Sequence, residues 1–364
     1  MKIQSWNWIA RCLAICVMLG LTQGAESQSQ TISSKDAPFR TSIRALGMGG
    51  AYIAAGRNGG AFHYNPALLN QSHTDVSLAY DMGFDQNTVN VFDFIDKNQD
   101  NLKNFNDLTA TEETQLFQGL TPFDGEKIKL RFIPTFNIVT HNFGLAAYGT
   151  VKVGAGVDRG IFEPRVLADG TADIVVMMGL AKRVSEKTAM GVNLKTINRR
   201  SADFRVGVTK LDDTFDSIID SLKSSEQGYA VDFGLLHNLS DRTNFGFVVQ
   251  DLYGKVGDDE FPMNIKAGLA THPNDNMTFA LDVVDLLNKD GVSIFNRVHM
   301  GAEFRVPLLN FRGGFNQGYP TLGAGLNLKL IKIDYAFYRT ENGRWTGLDG
   351  RSQHEFQAKI GWGW

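Results

Sequence analysis

Five oxygen-bearing side chains are spaced as a calcium loop would space them. Asp96, Asn98, Asp100, Asn104 and Asp107 fall at the first, third, fifth, ninth and last places of the register in which carboxylates and amides wrap a Ca²⁺ ion. Asn101 stands where the sharp turn of that loop needs glycine, and Asp107 replaces the glutamate that would bind through both oxygens. A solvated loop is the better reading, with Ca²⁺ on Asp96, Asn98, Asp100 and Asp107 as the alternative. Gly47-Met48-Gly49-Gly50 invites a nucleotide reading, but the dinucleotide fingerprint would need a third glycine at Tyr52, and no Gly-Lys-Ser/Thr loop occurs. His354-Glu355 is followed by Phe356, Gln357 and Ala358 rather than the second histidine of a zinc-protease helix, and Gly-x-Ser-x-Gly is absent. The seven histidines are scattered. The chain therefore reads as a non-enzyme without cofactor or metal, a Ser–His pair assembled from adjacent strands being the one catalytic alternative. What remains is charge at regular places: Lys266, Arg297, Glu303, Arg305, Lys329, Lys332 and Asp334.

Those charges sit on runs of period two. From Val298, one face reads Val298, Met300, Ala302, Phe304, Val306 and the other Arg297, His299, Gly301, Glu303, Arg305. Leu322, Ala324, Leu326, Leu328 and Leu330 alternate with Gly323, Gly325, Asn327 and Lys329. Such alternation means antiparallel strands with one apolar face, and about fourteen runs of mostly about 8–12 residues recur from Val76 onward. A sandwich would pack the apolar faces together; a transmembrane barrel would turn them to lipid and keep glycines and charges in its lumen. Run length favours the barrel, since a tilted membrane strand needs about 9–11 residues. Mid-strand charges (Lys195 besides those above) suit a wet lumen, and aromatics near run ends, as at Phe84, Phe337, Trp362 and Trp364, suit interface girdles. The expected lumen charges would pair across strands as ladders and secondarily line a selective passage. A periplasmic sandwich is the rival.

Composition agrees. Lys and Arg number 36 against 39 Asp and Glu, only 21% of residues are charged, and there are 38 glycines and 25 phenylalanines. Neither a disordered chain nor a nucleic-acid binder has this balance. Beyond the leader no uncharged apolar stretch approaches the ~20 residues of a membrane helix. Lys2, Arg11, the apolar run Cys12 to Leu21 and the small residues up to Ala25 read as a signal peptide over 1–25. Both cysteines, Cys12 and Cys16, lie within it, so no disulfide holds the mature chain. Two stretches break the alternation: 91–124, expected to hold one or two short helices in a long loop, and 211–224, expected to be a short amphipathic helix.

Residues 40–69 read RTSIRALGMGGAYIAAGRNGGAFHYNPALL. This small-residue segment can pack backbone against backbone, and Asn65-Pro66-Ala67 fixes a turn in which Asn65 caps a short helix begun by Pro66. The string R-A-L-G-M-G-G-A-Y-I-A followed by A-F-H-Y-N-P-A-L-L resembles the N-terminal signature of FadL-like outer-membrane barrels, and within them the PorV/PorQ-like branch and TraF-like plasmid-transfer proteins. Arg312-Gly313-Gly314-Phe315-Asn316-Gln317-Gly318-Tyr319 and Asp334-Tyr335-Ala336-Phe337 resemble the final hairpins of that branch. The resemblance implies an all-β, fourteen-stranded transmembrane barrel in the bacterial outer membrane, with residues 26–74 as an internal hatch and 75–364 as the wall. It implies a hatch turn at Asn65, Pro66 and Ala67 and hatch packing through Gly47, Gly49 and Gly50. Passive transport of small hydrophobic molecules is the expected function. The alternative is an interaction protein that binds cargo or partners of a secretion or conjugation machine. Fatty-acid-binding positions of the FadL group have no counterpart here.

Overall fold

The computed structural model describes residues 39, 41–56, 59–104, 107–121, 127–158, 165–207 and 225–362. The expected signal peptide, the first part of the hatch, the expected 211–224 helix and Trp364 lie outside these residues. Alternation along the chain becomes one antiparallel sheet of fifteen hydrogen-bonded segments, of which fourteen form a closed wall. They are β1 (Asp75–Asp85), β2 (Lys127–Thr140), β3 (Phe143–Asp158), β4 (Arg165–Arg183), β5 (Thr188–Gly207), β6 (Glu226–Ser240) and β7 (Thr243–Val256), followed by β8 (Asn264–Asn274), β9 (Met277–Val283), β10 (Val298–Val306), β11 (Leu309–Asn316), β12 (Tyr319–Leu328), β13 (Ile331–Glu341) and β14 (Gly350–Trp362). Each pairs with its neighbours in sequence, and β1 pairs with both β2 and β14 to close the ring. The fifteenth segment, Asp259–Glu260, folds back on the end of β7.

The wall is inside out relative to a soluble protein. Along β1, Leu78, Tyr80 and Met82 are 40–55% exposed, while Ser77, Ala79 and Asp81 are buried. Apolar side chains exposed around a closed ring are stable only against lipid; closure leaves no strand edge to satisfy. No helix among the described residues is long and apolar enough to cross a membrane, so the strands do the crossing.

Height varies around the ring. β4 and β5 have 19 and 20 residues, whereas β9 and β11 have 7 and 8. The tall strands outrun the sequence expectation because spanning needs only about 9–11 residues. Their upper parts carry polar residues on both faces, such as Asp169, Thr171, Arg200 and Ser201, and so lose the alternation. Turns on one rim are short, mostly two residues, as at His141-Asn142, Asp241-Arg242 and Lys329-Leu330; the opposite rim carries most of the longer connections. Within the lumen lie α1 (Ile43–Gly47) and 3₁₀ turns at Ala61–His63 and Pro66–Gln71. Ile43, Met48, Tyr52, Ile53, Phe62, Leu68 and Leu69 of this segment are at most 2% exposed. The core of the molecule is thus its own N-terminal segment, held inside the ring.

Two helices rise from the long-loop rim after β1: α2 (Gln86–Lys103), capped by Asp85, and α3 (Ala110–Leu120), begun by a Thr109/Glu112 capping box. Asp96, Asn98 and Asp100 lie on α2. A continuous helix there replaces the winding loop that the calcium register requires, because helical backbone cannot bring alternate residues around one ion. Among the described residues no cluster of His, Cys, Asp or Glu could hold a metal. A short α4 (Ile294–Arg297) precedes β10.

Candidate functional site: the plugged lumen

The Asn65 turn is tied in three directions. Its side-chain oxygen accepts from the Ala67 amide at 3.0 Å, as a cap should. Its side-chain nitrogen donates to Ile53 O and to Leu235 O on β6, both at 3.1 Å. One fully buried amide thereby joins the turn to the preceding segment of the plug and to the wall. Pro66 follows at the first helical position, where its missing amide hydrogen costs nothing.

Around the plug the wall carries paired glycines: Gly144 with Gly179, Gly191 with Gly234, Gly246 with Gly268, and Gly301 with Gly314. The plug backbone touches the wall at the last three of these steps, and the Phe62 and Leu69 side chains at the first. A β-carbon on Gly191 would stand 2.5 Å from Pro66 C, and one on Gly301 would stand 2.5 Å from Met48 C. From the plug side, Gly47 meets Gly323 of β12, Gly49 turns with φ +68° under the Met300 and Phe315 carbonyls, and Gly50 (φ +87°) faces His299. Positive φ without strain and the absence of side-chain bulk are both needed there.

Polar anchors complete the seat. Arg44 donates to Glu303 through Nε at 2.7 Å and Nη2 at 2.6 Å, and through Nη1 to the Tyr52 hydroxyl at 2.9 Å. Burial pushes the Tyr52 phenol above its ordinary pKa. Glu303 also accepts from Arg312 Nε at 2.8 Å, and Arg312 Nη1 reaches Asp334 at 2.6 Å. A ladder Arg44–Glu303–Arg312–Asp334 therefore runs from the plug across β10, β11 and β13. Further round, Asp282 Oδ2 accepts the Tyr52 and Ile53 amides at 2.5 and 2.9 Å. Asn193 donates to Phe62 O, Thr321 donates to Gly47 O, and His299 meets Gly49 O.

The interior of the tall wall is different. Tyr148, Val175, Ile197, Gly228 and Val256 form one register row across β3 to β7. With Met177, Ala230, Phe62 of the plug and Phe261 they make a buried apolar strip. The strip ends at a notch. The β7–β8 ladder stops at Gln250↔Asn264, while β7 continues to pair with β6 as far as Val256. Where the ladder stops, Asp251 takes φ +50° and the β6–β7 register slips beside Asp232. Lys195 Nζ holds that bulge, donating to Asp232 at 2.7 Å and Asp251 at 2.9 Å. Residues 257–263 fold back so that the Phe261 amide donates to Gly254 O at 2.9 Å and its ring closes the strip. At the notch lies a cavity of about 700 Å³, lined by Leu252, Tyr253, Phe261, Pro262 and Met263 together with the charged Asp251, Lys255, Glu260, Lys289 and Asp290.

Of the charges expected in the lumen, Glu303, Arg305, Lys332 and Asp334 line its interior, and Lys266 points in towards Gln250. Two do not. Lys329 is exposed in the turn between β12 and β13, one residue past the strand. Arg297 closes α4 at the opposite rim and donates to Asp285 O at 3.1 Å. Asp282, Asn193 and Thr321 were not singled out by sequence; their one signal is parity, each being a polar residue on the lumen face of an alternating strand.

Together these features define a lipid-facing, fourteen-stranded barrel whose lumen is filled by its own N-terminal segment. No protein-family model matches the sequence, and no curated protein matches it. Solved structures do. The toluene transporter TbuX of Ralstonia pickettii superposes with TM-score 0.54 at 12% identity, over 90% of this chain and 99% of that one. The CymD monoaromatic hydrocarbon channel gives 0.53 at 14%, over 88% and 97%. A FadL homologue of Pseudomonas aeruginosa gives 0.51 at 11%, over 88% and 98%. At such identities the likeness is one of fold.

Proposed function

We propose that this chain is a bacterial outer-membrane channel for passive transport of small hydrophobic molecules. The observation that carries the reading is the apolar strip, which runs from Phe62 on the plug to Phe261 at the wall notch inside an otherwise charged lumen. The shared fold of proteins described as toluene and monoaromatic hydrocarbon channels supports it. Barrel asymmetry places the long-loop rim outside the cell. A solute entering there meets the strip and loses contact with water. Straight passage past the plug leads into a charged chamber, where each CH₂ leaving the strip forfeits about 0.8 kcal/mol. The notch instead lies beside the exposed Leu252 and Tyr253, so lateral exit there, past Phe261, is the route we favour. No nucleotide loop or other energy source is present in the sequence, and diffusion suffices.

Uptake of radiolabelled toluene by an intact Gram-negative strain expressing the full chain tests this. Uptake should exceed the empty vector and fall in Phe261→Trp, which enlarges the ring that closes the strip. Uptake equal to the vector, with heat-modifiable barrel present in the outer membrane, would refute it.

A second reading is an interaction protein of the PorV/PorQ-like or TraF-like kind, serving secretion or conjugation. It is supported by α2 and α3 standing together on the long-loop rim, with Phe94 packed against Gly119. Deleting 91–120 should then remove a co-purifying partner without altering toluene uptake.

A further inference from the structure

We infer that the charged chamber beneath the plug is a binding site for a small oxyanion that enters from the aqueous short-turn end. The chamber measures about 300 Å³ and lies against the lower halves of β10 to β14, close to the turns Pro307-Leu308 and Lys329-Leu330. Five cationic side chains line it, Arg44, Arg305, Arg312, Lys332 and Lys359, against three carboxylates, Asp75, Glu303 and Asp334. Each carboxylate is engaged through at least one oxygen: Glu303 by Arg44, Arg312 and, at 3.5 Å, Arg305; Asp334 by Arg312; and Asp75 Oδ2 by Lys359 at 2.7 Å and the Gly59 amide at 3.2 Å, its Oδ1 accepting no hydrogen bond among the described residues. The lining thus carries two positive charges more than it neutralises. Among its neutral members, Asn137, Asn310 and Asn327 add amide groups able to donate, while Gln357 Nε2 already donates to Asp81 at 2.6 Å.

Arg305 gives the chamber a specific acceptor requirement. Its Nε lies 3.5 Å from Glu303 Oε1, is buried and donates to no hydrogen-bond acceptor among the described residues. A buried donor left short of hydrogen-bond distance from its ion-pair partner carries a desolvation cost that an oxyanion in the chamber would recover. A guanidinium also presents its donors in the fork that carboxylate and phosphate oxygens fit. Because Arg44 belongs to the plug and the other cations to the wall, an anion held between them would fasten the plug to the barrel.

The test uses the full chain in detergent micelles, with inorganic phosphate titrated at constant ionic strength against sodium chloride. The unfolding midpoint should rise saturably with phosphate. Arg305→Gln and Lys332→Met should each weaken the apparent affinity tenfold or more, about 1.4 kcal/mol, while Lys329→Met, in the exposed turn, should leave it unchanged. Lys332→Met serves alone should Arg305→Gln fail to fold. A linear, unsaturating response, or equal saturation in Lys332→Met and Lys329→Met, would overturn the assignment.

Discussion

Placing one methyl group on Gly301 should unseat the plug. A β-carbon there would lie 2.5 Å from the carbonyl carbon of Met48 and 2.6 Å from its Cα, both backbone atoms that cannot rotate away. Gly301 is fixed in the wall by ladders to Ala280 on β9 and Gly314 on β11, so the plug rather than the wall must yield. Overpacking of this kind costs about 1–3 kcal/mol, which lowers the ratio of seated to unseated plug by about five- to 150-fold. Gly313→Ala is the control: its β-carbon would meet nothing nearer than Thr321 O at 3.8 Å. Planar-bilayer recordings of both variants report the outcome as the fraction of time a large conductance is open. Gly301→Ala should open far more often than wild type, and Gly313→Ala should match wild type. If both variants stay as closed as wild type, the paired glycines are not the seat of the plug.

The remaining predictions concern other contacts. Glu303→Gln leaves Arg44 and Arg312 buried without their shared carboxylate; breaking a buried pair costs about 3–5 kcal/mol, so the unfolding midpoint in detergent should fall and liposome flux of small sugars should rise. Glu341 accepts the Gly343, Gly347 and Asp349 amides and the Tyr319 hydroxyl, each at 2.7 Å; Glu341→Ala should speed amide exchange across 342–349 and leave β13 protected. Thr109 hydrogen bonds hold the exposed Glu112 carboxyl below its ordinary value of 4.5. A depressed carboxyl stabilises above its unfolded value and loses that effect as pH falls through the folded one. Amide protection at 110–113, corrected for intrinsic rates, should therefore weaken below pH 4.5, and Thr109→Ala should abolish the pH dependence.

The fold was legible because lipid imposes a regular code. Leu78, Tyr80 and Met82 against Ser77, Ala79 and Asp81 can be read without coordinates, and so could most strands. β4 and β5 were harder, since above the membrane both faces are wet and charge erases the period. The Asn65-Pro66-Ala67 turn carried its capping chemistry in three adjacent residues. Partners of that turn did not: Leu235 lies 170 residues away and contributes a carbonyl, which any residue possesses. The notch was equally silent, because it comes from a ladder that ends, and ladder ends depend on Asp251 taking positive φ beside Lys195 and Asp232. Arg297 and Lys329 sat on the right parity but one residue beyond their strands, where parity no longer fixes direction.

The two sides of the lumen divide the work between them. On the low wall, glycines and the Arg44–Glu303–Arg312–Asp334 ladder grip the plug through directional bonds whose geometry a sliding segment cannot preserve. On the tall wall, Asn193 and Leu235 hydrogen-bond the plug at Phe62 O and Asn65, while the Phe62 ring meets Val175, Ile197 and their neighbours through apolar contact, which is non-directional. A molecule small enough to replace part of that contact costs the plug little, whereas one that needs several hydrogen bonds finds only the Tyr148 hydroxyl along the row. On the proposed channel function, selection for apolar solutes follows from this row, while Asn193 and Leu235 keep the plug backbone in place beside it. Placing a carboxylate in the row, as in Ile197→Asp, should abolish toluene uptake while leaving the Arg44 latch and its closed conductance intact; unchanged uptake would show that the solute travels elsewhere.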